Sequence, residues 1–397
     1  MKILFLSDLY STPQAPRRGV ANARIVHAMR AEANIEVMSP VPWYPEVVAR
    51  RVPALEPLVT LPAVEHDGDG SPVAHPRRLH IPKVFSAQAV LYALSVATPL
   101  RAAVRRFRPD VLLTAWAFPD ATAAVALAKL LRLPVVVRTM GSDINDYAHR
   151  PARRPQIALA LRHADRVIAV SHALGGEVRK LGVERVVVIP TGVDTNRFYR
   201  VHGARAQLAL PTHARLVVVP SRLAPEKGIT HFVDALATLP SDVHGVLVGD
   251  GPEQPRLEEQ AARLGVRDRL HFAGFQPEER MKIYDSAADV VCLPSLEEGW
   301  PNVLMEAAAC GCPAVASDVG GVEEIFALTD GGLTAPAGDS VTLGGVLRDA
   351  LNRPWDRDAI RRRVEGHTLA HTAHRYVETC AAAVADRRGG HPVVERA

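Results

Sequence analysis

PSLEEGWPNVLMEAAACGCPAVASDVGGVEE, residues 294–324, decides how this chain folds. The run leading into it, Asp289-Val-Val-Cys-Leu-Pro294, is short and apolar, the pattern of a strand covered on both faces in a parallel sheet. Gly299, Pro301 and Asn302 then break the strand and open a helix. A helix start leaves its first N–H groups without intrahelical partners, and the macrodipole adds positive charge there, so phosphate oxygens are the expected ligand. Glu298 stands before the helix, placed to accept hydrogen bonds from sugar hydroxyls, and Glu306 stands within it, placed to take a ribose diol. One segment is thus expected to grip a sugar, a diphosphate and a ribose, with Gly299, Trp300, Pro301, Asn302 and Val303 lining it between the two acids.

Two glutamates at this spacing arise on any amphipathic helix, so specificity comes from their setting. Set in Gly-Trp-Pro-Asn, Met-Glu-Ala and Gly-Cys-Pro-Ala-Val-Ala-Ser, the pair resembles the Glu-x7-Glu motif of the family 4 retaining glycosyltransferases. That resemblance implies an α/β architecture called GT-B: two Rossmann-like, doubly wound parallel-sheet domains facing a cleft, with a C-terminal helix crossing back to the first. It also implies a nucleotide diphosphate sugar as donor, a glycan or lipid-linked acceptor, and retention of anomeric configuration. Ser221-Arg-Leu-Ala-Pro-Glu-Lys-Gly228 resembles the segment whose Arg and Lys clamp the donor diphosphate, which makes Arg222 and Lys227, with Glu298, the expected catalytic groups. Two cations suit a reaction in which negative charge builds on a leaving phosphate.

Other segments carry the resemblance further. Gly249-Asp-Gly-Pro252 looks like the family's Gly-x-Gly-Pro loop, with Gly249 and Gly251 on the donor, although the residues alone read equally as a tight turn. Ala273-Gly-Phe-Gln276 stands where relatives hold the base, which points to Phe275. Arg17-Arg-Gly-Val20 matches a loop of paired glycines over the donor phosphates, except that Arg18 replaces the first; Gly19 alone carries over, and Arg18 is expected to add a phosphate contact or to narrow the loop's motion. Trp116-Ala-Phe-Pro-Asp120 and Thr139-Met-Gly-Ser-Asp-Ile144 resemble a branch that makes bacterial surface polysaccharides, including teichuronic acid enzymes. They offer Asp120 and Asp143 for acceptor binding or sugar orientation, or as caps of the next helix. Met140 occupies a position where many relatives hold histidine, so no histidine role transfers.

The chain has 397 residues, of which 48% are hydrophobic, enough to fill two cores. Cys292, Cys310, Cys312 and Cys380 show neither a disulfide framework nor zinc spacing, so no metal and no cofactor beyond the nucleotide sugar substrate is expected. Met1-Lys-Ile-Leu-Phe-Leu-Ser-Asp8 meets an acid too early for a signal peptide, and no apolar run is long enough to span a bilayer, so the expected location is cytoplasmic. Charge divides unevenly. Residues 1–190 hold 25 Lys and Arg against 15 Asp and Glu, and the rest hold 22 against 28. The basic half, densest over Arg101–Arg108 with Arg77, Arg78 and Lys83 upstream, suits anionic lipid on the inner face of a membrane or a lipid diphosphate rather than nucleic acid. A solvated helix face accounts for it equally.

Short Val, Ile and Leu runs alternate with helical stretches throughout. The pattern predicts strands over 2–7, 35–39, 111–115, 134–138, 166–170 and 186–190, then over 215–220, 245–249, 270–273, 289–294 and 313–317. Pro40–Pro82 reads as an irregular excursion near the acceptor side. The expected domains are 1–190 for the acceptor side, 191–212 as linker, 213–368 for the donor, and 369–397 as a crossing helix and tail. Two other functions fit the same residues: another nucleotide-sugar chemistry such as epimerisation or hydrolysis, and a catalytically silent scaffold.

Overall fold

The apolar runs at Val111–Ala115, Val135–Thr139, Arg215–Pro220 and Val290–Leu293 have become buried strands. The computed structural model describes residues 1–44, 60–81, 84, 86–208, 210 and 213–389; Lys83 and much of the Pro40–Pro82 segment lie outside the described residues. The chain divides into two compact units, Met1–Pro190 with everything from Thr372 onward, and Thr191–His371.

In the first unit the strands are β1 (Lys2–Leu6), β2 (Asn34–Met38), β3 (Val41–Trp43), β4 (Val64–His66), β5 (Pro72–Ala74), β6 (Arg77–Leu79), β7 (Val111–Ala115), β8 (Val135–Thr139), β9 (Arg166–Ala169) and β10 (Val186–Val188). Eight of them form a sheet in the order β10-β9-β8-β7-β1-β2-β5-β4, and β3 and β6 pair separately. Only β4 runs antiparallel to its neighbour in the large sheet. The described part of the Pro40–Pro82 excursion is therefore more regular than its composition suggests. Val73 and Ala74 extend the main sheet by pairing with Val37 and Met38, and Val41–Trp43 pairs with Arg77–Leu79. Strands of three residues are too short to show a period in sequence.

The second unit holds β11 (Arg215–Pro220), β12 (Val243–Val248), β13 (Leu270–Gly274), β14 (Val290–Leu293), β15 (Ala314–Ser317) and β16 (Gly332–Ala335). All six are parallel, in the order β13-β12-β11-β14-β15-β16. This is the Rossmann order, three strands laid down in one direction and three in the other. Its core gathers Val217, Val219, Phe232, Leu236, Leu247, Leu270 and Leu347, all fully buried. The helix Ile229–Thr238 buries Ile229, Phe232, Val233 and Leu236, the spacing of one helical stripe. The edge strand β16, Gly-Leu-Thr-Ala, escaped the sequence reading because it carries one large apolar residue.

Strand order locates a crevice in each unit, because chain direction reverses between β11 and β14 in one sheet and between β1 and β7 in the other. Ligands of such sheets lie beyond the carboxyl ends of the strands at that reversal. The final helix, Leu369–Arg387, returns to the first unit: Arg387 donates to both Asp165 oxygens at 2.8 and 3.0 Å, and Arg166 meets Asp386 at 2.9 Å. Among the described residues no helix is long and apolar enough to cross a membrane.

Candidate functional site

At the reversal of the second sheet, β11 feeds Ser221–Gly228 and β14 feeds Pro294–Pro301. Gly228 lets the two loops touch. Its φ is +59°, and a Cβ there would lie 2.1 Å from the carbonyl oxygen of Pro294. Beside it the Leu296 N–H donates to the Glu226 carbonyl at 2.9 Å. This approach sets Lys227 Nζ 2.6 Å from Glu298 Oε1, with both side chains largely covered. Arg222, on the same loop, is exposed and meets Glu226. The loop after β12 packs alongside, the Leu223 N–H donating to Asp250 at 2.9 Å and the Glu253 N–H to Leu223 at 3.1 Å. Gly249 donates to Gly274 at 2.9 Å, which places Gly249, Gly251 and the half-exposed Phe275 along one rim of neighbouring strand ends.

The helix expected from Asn302 runs Asn302–Ala309 with Pro301 as N-cap and no side-chain cap, which leaves first-turn N–H groups for a ligand. Asn302 and Val303 are half-exposed there, and Asn302 Oδ1 has no hydrogen-bond partner among the described residues. Gly299 accepts from Gly321 at 3.1 Å, so the Gly320-Gly321 turn after β15 supports the motif from below. Trp300 requires a correction. It is 7% exposed and its indole N–H donates to the Thr191 carbonyl at 2.8 Å, so this side chain is spent on anchoring the turn.

Glu306 is buried near Asp285, a residue the sequence reading passed over. Asp285 is 1% exposed on the helix Glu278–Ala287, with one carboxyl oxygen unpartnered. Burial, then the Glu306 charge, pushes its carboxyl well above the usual carboxylate range. Its helix, Glu-Glu-Arg-Met-Lys-Ile-Tyr-Asp-Ser-Ala, holds several other charged residues, so nothing in the sequence singled this acid out. Gly228 could have been suspected, as a glycine between a cationic loop and a helix.

At the first unit's reversal, Gly19 caps the helix Val20–Met29 with φ +66°, and a Cβ there would overlap the backbone of Leu9 and Tyr10. Arg18 turns inward, Nη2 donating to the Pro40 carbonyl at 3.0 Å, a contact that ties down the loop, while Nη1 has no hydrogen-bond partner among the described residues. The two aspartates, expected to bind an acceptor, to orient the sugar or to cap the next helix, are both fully buried. Asp120 accepts from Ser7 Oγ at 2.9 Å and the Asp8 N–H at 2.6 Å. Asp143 accepts from Met140 and Gly141 at 3.0 and 2.8 Å and, across strands, from Ala117 at 2.9 Å. They clamp the loops after β1, β7 and β8 from inside, and Asp120 Oδ1 keeps no hydrogen-bond partner among the described residues. Burial raises both pKa values, for Asp120 reinforced by the charge of Asp8, which is itself bonded by Arg78 Nε at 2.7 Å.

A family model described as Glycosyltransferase Family 4 matches residues 43–197, and one described as Glycosyl transferases group 1 matches residues 203–366. A putative teichuronic acid biosynthesis glycosyltransferase of Bacillus subtilis is 29% identical over 332 residues, 82% of this chain and 83% of that one. Among solved structures, sucrose-phosphate synthase from Thermosynechococcus elongatus superposes with a TM-score of 0.72 at 21% identity, covering 98% of this chain and 97% of that one. Anabaena HepE in complex with UDP-glucose gives 0.71 at 23%, covering 96% and 99%. At those identities the two structures speak for the fold. With the two family models tiling both units and two Rossmann-like sheets beneath them, the chain belongs to the family 4 glycosyltransferases of GT-B fold.

Proposed function

We propose that this glycosyltransferase retains anomeric configuration and moves a hexose from a nucleotide diphosphate sugar to a glycan or lipid-linked acceptor in bacterial polysaccharide or glycolipid assembly. The observation that carries the reading is the Lys227–Glu298 pair, 2.6 Å apart at the sheet reversal and next to an uncapped helix start. A cation, an acid and free N–H groups converge where a sugar diphosphate would lie. Lys227 and the nearby Arg222 balance charge building on the leaving diphosphate, so the reading involves no metal. Glu298 holds Lys227 in place and accepts from the hexose, Glu306 takes the ribose, and the rim of Gly249, Gly251 and Phe275 borders the nucleotide. A donor phosphate oxygen takes the acceptor proton on the face the sugar leaves. The similarity to a teichuronic acid enzyme supports a surface-glycan acceptor, and the HepE complex, which holds UDP-glucose, supports a UDP-sugar as the first donor to try.

The test is a screen of UDP-, GDP- and ADP-sugars for thermal stabilisation, followed by transfer assays, because a ligand that binds only the folded state raises Tm. With the stabilising donor, Lys227→Ala and Arg222→Ala should each lower turnover at least ~10²-fold, as loss of a preplaced charge at a developing anion does. Near-normal turnover in both folded variants would sink the diphosphate role. Equal stabilisation by free nucleoside diphosphate and by intact donor, with no transfer to any glycan, would favour the silent scaffold.

A further inference from the structure

The sequence left the basic stretch of the first unit open between a solvated face and a membrane contact, and the structure sorts its residues. Residues 70–109 contain no acid and seven Lys and Arg. Most of the described residues among them build β6 and the helix Gln88–Phe107. That helix buries Tyr92, Val96, Leu100, Ala103 and Phe107 on one face. On the opposite face, at helical spacing, stand Val90, Leu94, Arg101 and Arg105, all exposed. Leu94 is 72% exposed and Val90 57%. Arg106 lies off this stripe and is engaged with Glu36, and Arg108 follows the helix in a left-handed conformation.

The apolar face does not end with the helix. Leu79 donates its N–H to Ser95 Oγ at 2.9 Å, which brings β6 beside Leu94. Leu79 is the register partner of Trp43 on β3, and both side chains are exposed, Trp43 by half. Strand alternation puts Arg77 on that outward side too, while Arg78 turns in to Asp8. Gln88 ties Ile81, also exposed, to the helix start at 2.6 Å. Single exposed apolar residues need no explanation, but a contiguous set of them rimmed by arginines, on forty residues without an acid, is an unusual surface for water.

We propose that this face, Trp43, Leu79, Val90 and Leu94 with Arg101 and Arg105 at its edge, seats the protein in an anionic lipid bilayer surface. The apolar side chains enter the acyl boundary, Trp43 lies at headgroup depth, and the arginines meet lipid phosphates while their stems stay along the apolar face. Charge complementarity selects this occupant: a second copy would bring another arginine-bearing, acid-free stretch to the contact and supply no carboxylate to neutralise it, whereas lipid phosphates do. The proposal rests on the glycosyltransferase reading only in that a lipid-linked acceptor would bring the enzyme to such a surface.

The experiment is sedimentation of the full chain with vesicles of phosphatidylcholine and phosphatidylglycerol in roughly equal parts, at low salt and at about 1 M, where the Debye length is about 3 Å. The wild type should bind at low salt, keep part of its binding at high salt, and show a blue shift of emission that Trp43→Phe abolishes. Val90→Ser with Leu94→Ser should lower the partition coefficient about tenfold or more at both salts. Arg101→Gln with Arg105→Gln should reduce binding at low salt to the level seen with phosphatidylcholine alone. No binding at low salt, binding that high salt removes completely, or indifference to the Val90 and Leu94 changes would overturn the proposal. So would self-association lost in the Val90/Leu94 variant, which would make a second copy the occupant. Melting and donor stabilisation of every variant should match wild type. Vesicle binding without any sugar transfer would count against the proposed function alone.

Discussion

Asp285 shows what one carboxyl does to a site it never touches directly. It has 1% exposure, one oxygen without a partner, and the Glu306 charge nearby, so the protonated form is favoured by both burial and repulsion. An acid whose folded pKa is raised contributes stability that is complete below its unfolded pKa, about 4, and is lost as pH rises through the folded value. Asp285→Asn keeps the shape and removes the titration. The variant should therefore melt higher than wild type at alkaline pH, with the difference shrinking toward pH ~4, as differential scanning calorimetry across that range can check. A constant offset at all pH values would mean that Asp285 ionises as an ordinary exposed acid does. Lys227 and Glu298, by contrast, were legible from the chain itself, because their motif surrounds them with turn and helix-start residues. Asp120 and Asp143 stood out in their motifs, but their burial did not, since a motif records which residue stands at a strand end and not which way its side chain turns.

At the scale of elements, the donor loops form a stack of close approaches. Gly228 lies against Pro294, the loop after β12 bonds to the loop after β11, and Gly321 bonds to Gly299. Gly228→Ala would put a methyl group 2.1 Å from a carbonyl oxygen at a φ of +59°, so the loops must part or the residue must leave its conformation. We expect a loss of stability of about 1–3 kcal/mol and, beyond that, a loss of donor stabilisation in the folded variant, because Lys227 and Glu298 would separate. A variant that melts lower yet gains the same Tm shift with donor would show that the pair tolerates the displacement. The strands themselves were largely legible: β7 and β11 begin and end where the Val and Leu runs do. The misses have a common cause. β3 to β6 and β16 are three or four residues long and take their identity from the neighbours they pair with, which local sequence does not display.

On the scale of the whole molecule, the first unit is discontinuous, its two parts separated by all of Thr191–His371. The returning helix buries Thr372, Ala373, Tyr376, Cys380, Ala383 and Val384, and Arg138 lies over the Tyr376 ring at 5.7 Å. A chain ending at His371 should lose the first unit's cooperative melting while residues 191–371 still respond to donor, which calorimetry with and without nucleotide sugar would resolve as one retained transition. Unchanged melting of both units would deny the helix a structural role. The consequence concerns synthesis. Domains ordinarily fold in the order in which they leave the ribosome, yet here the half made earlier must wait, with the apolar surface that Tyr376 and its neighbours will cover still open, until the returning helix Leu369–Arg387 has been made. A premature stop anywhere in the final helix would therefore release a donor half that is complete and an older half that is not, and cellular quality control would meet the fault at the end of the chain opposite the lesion.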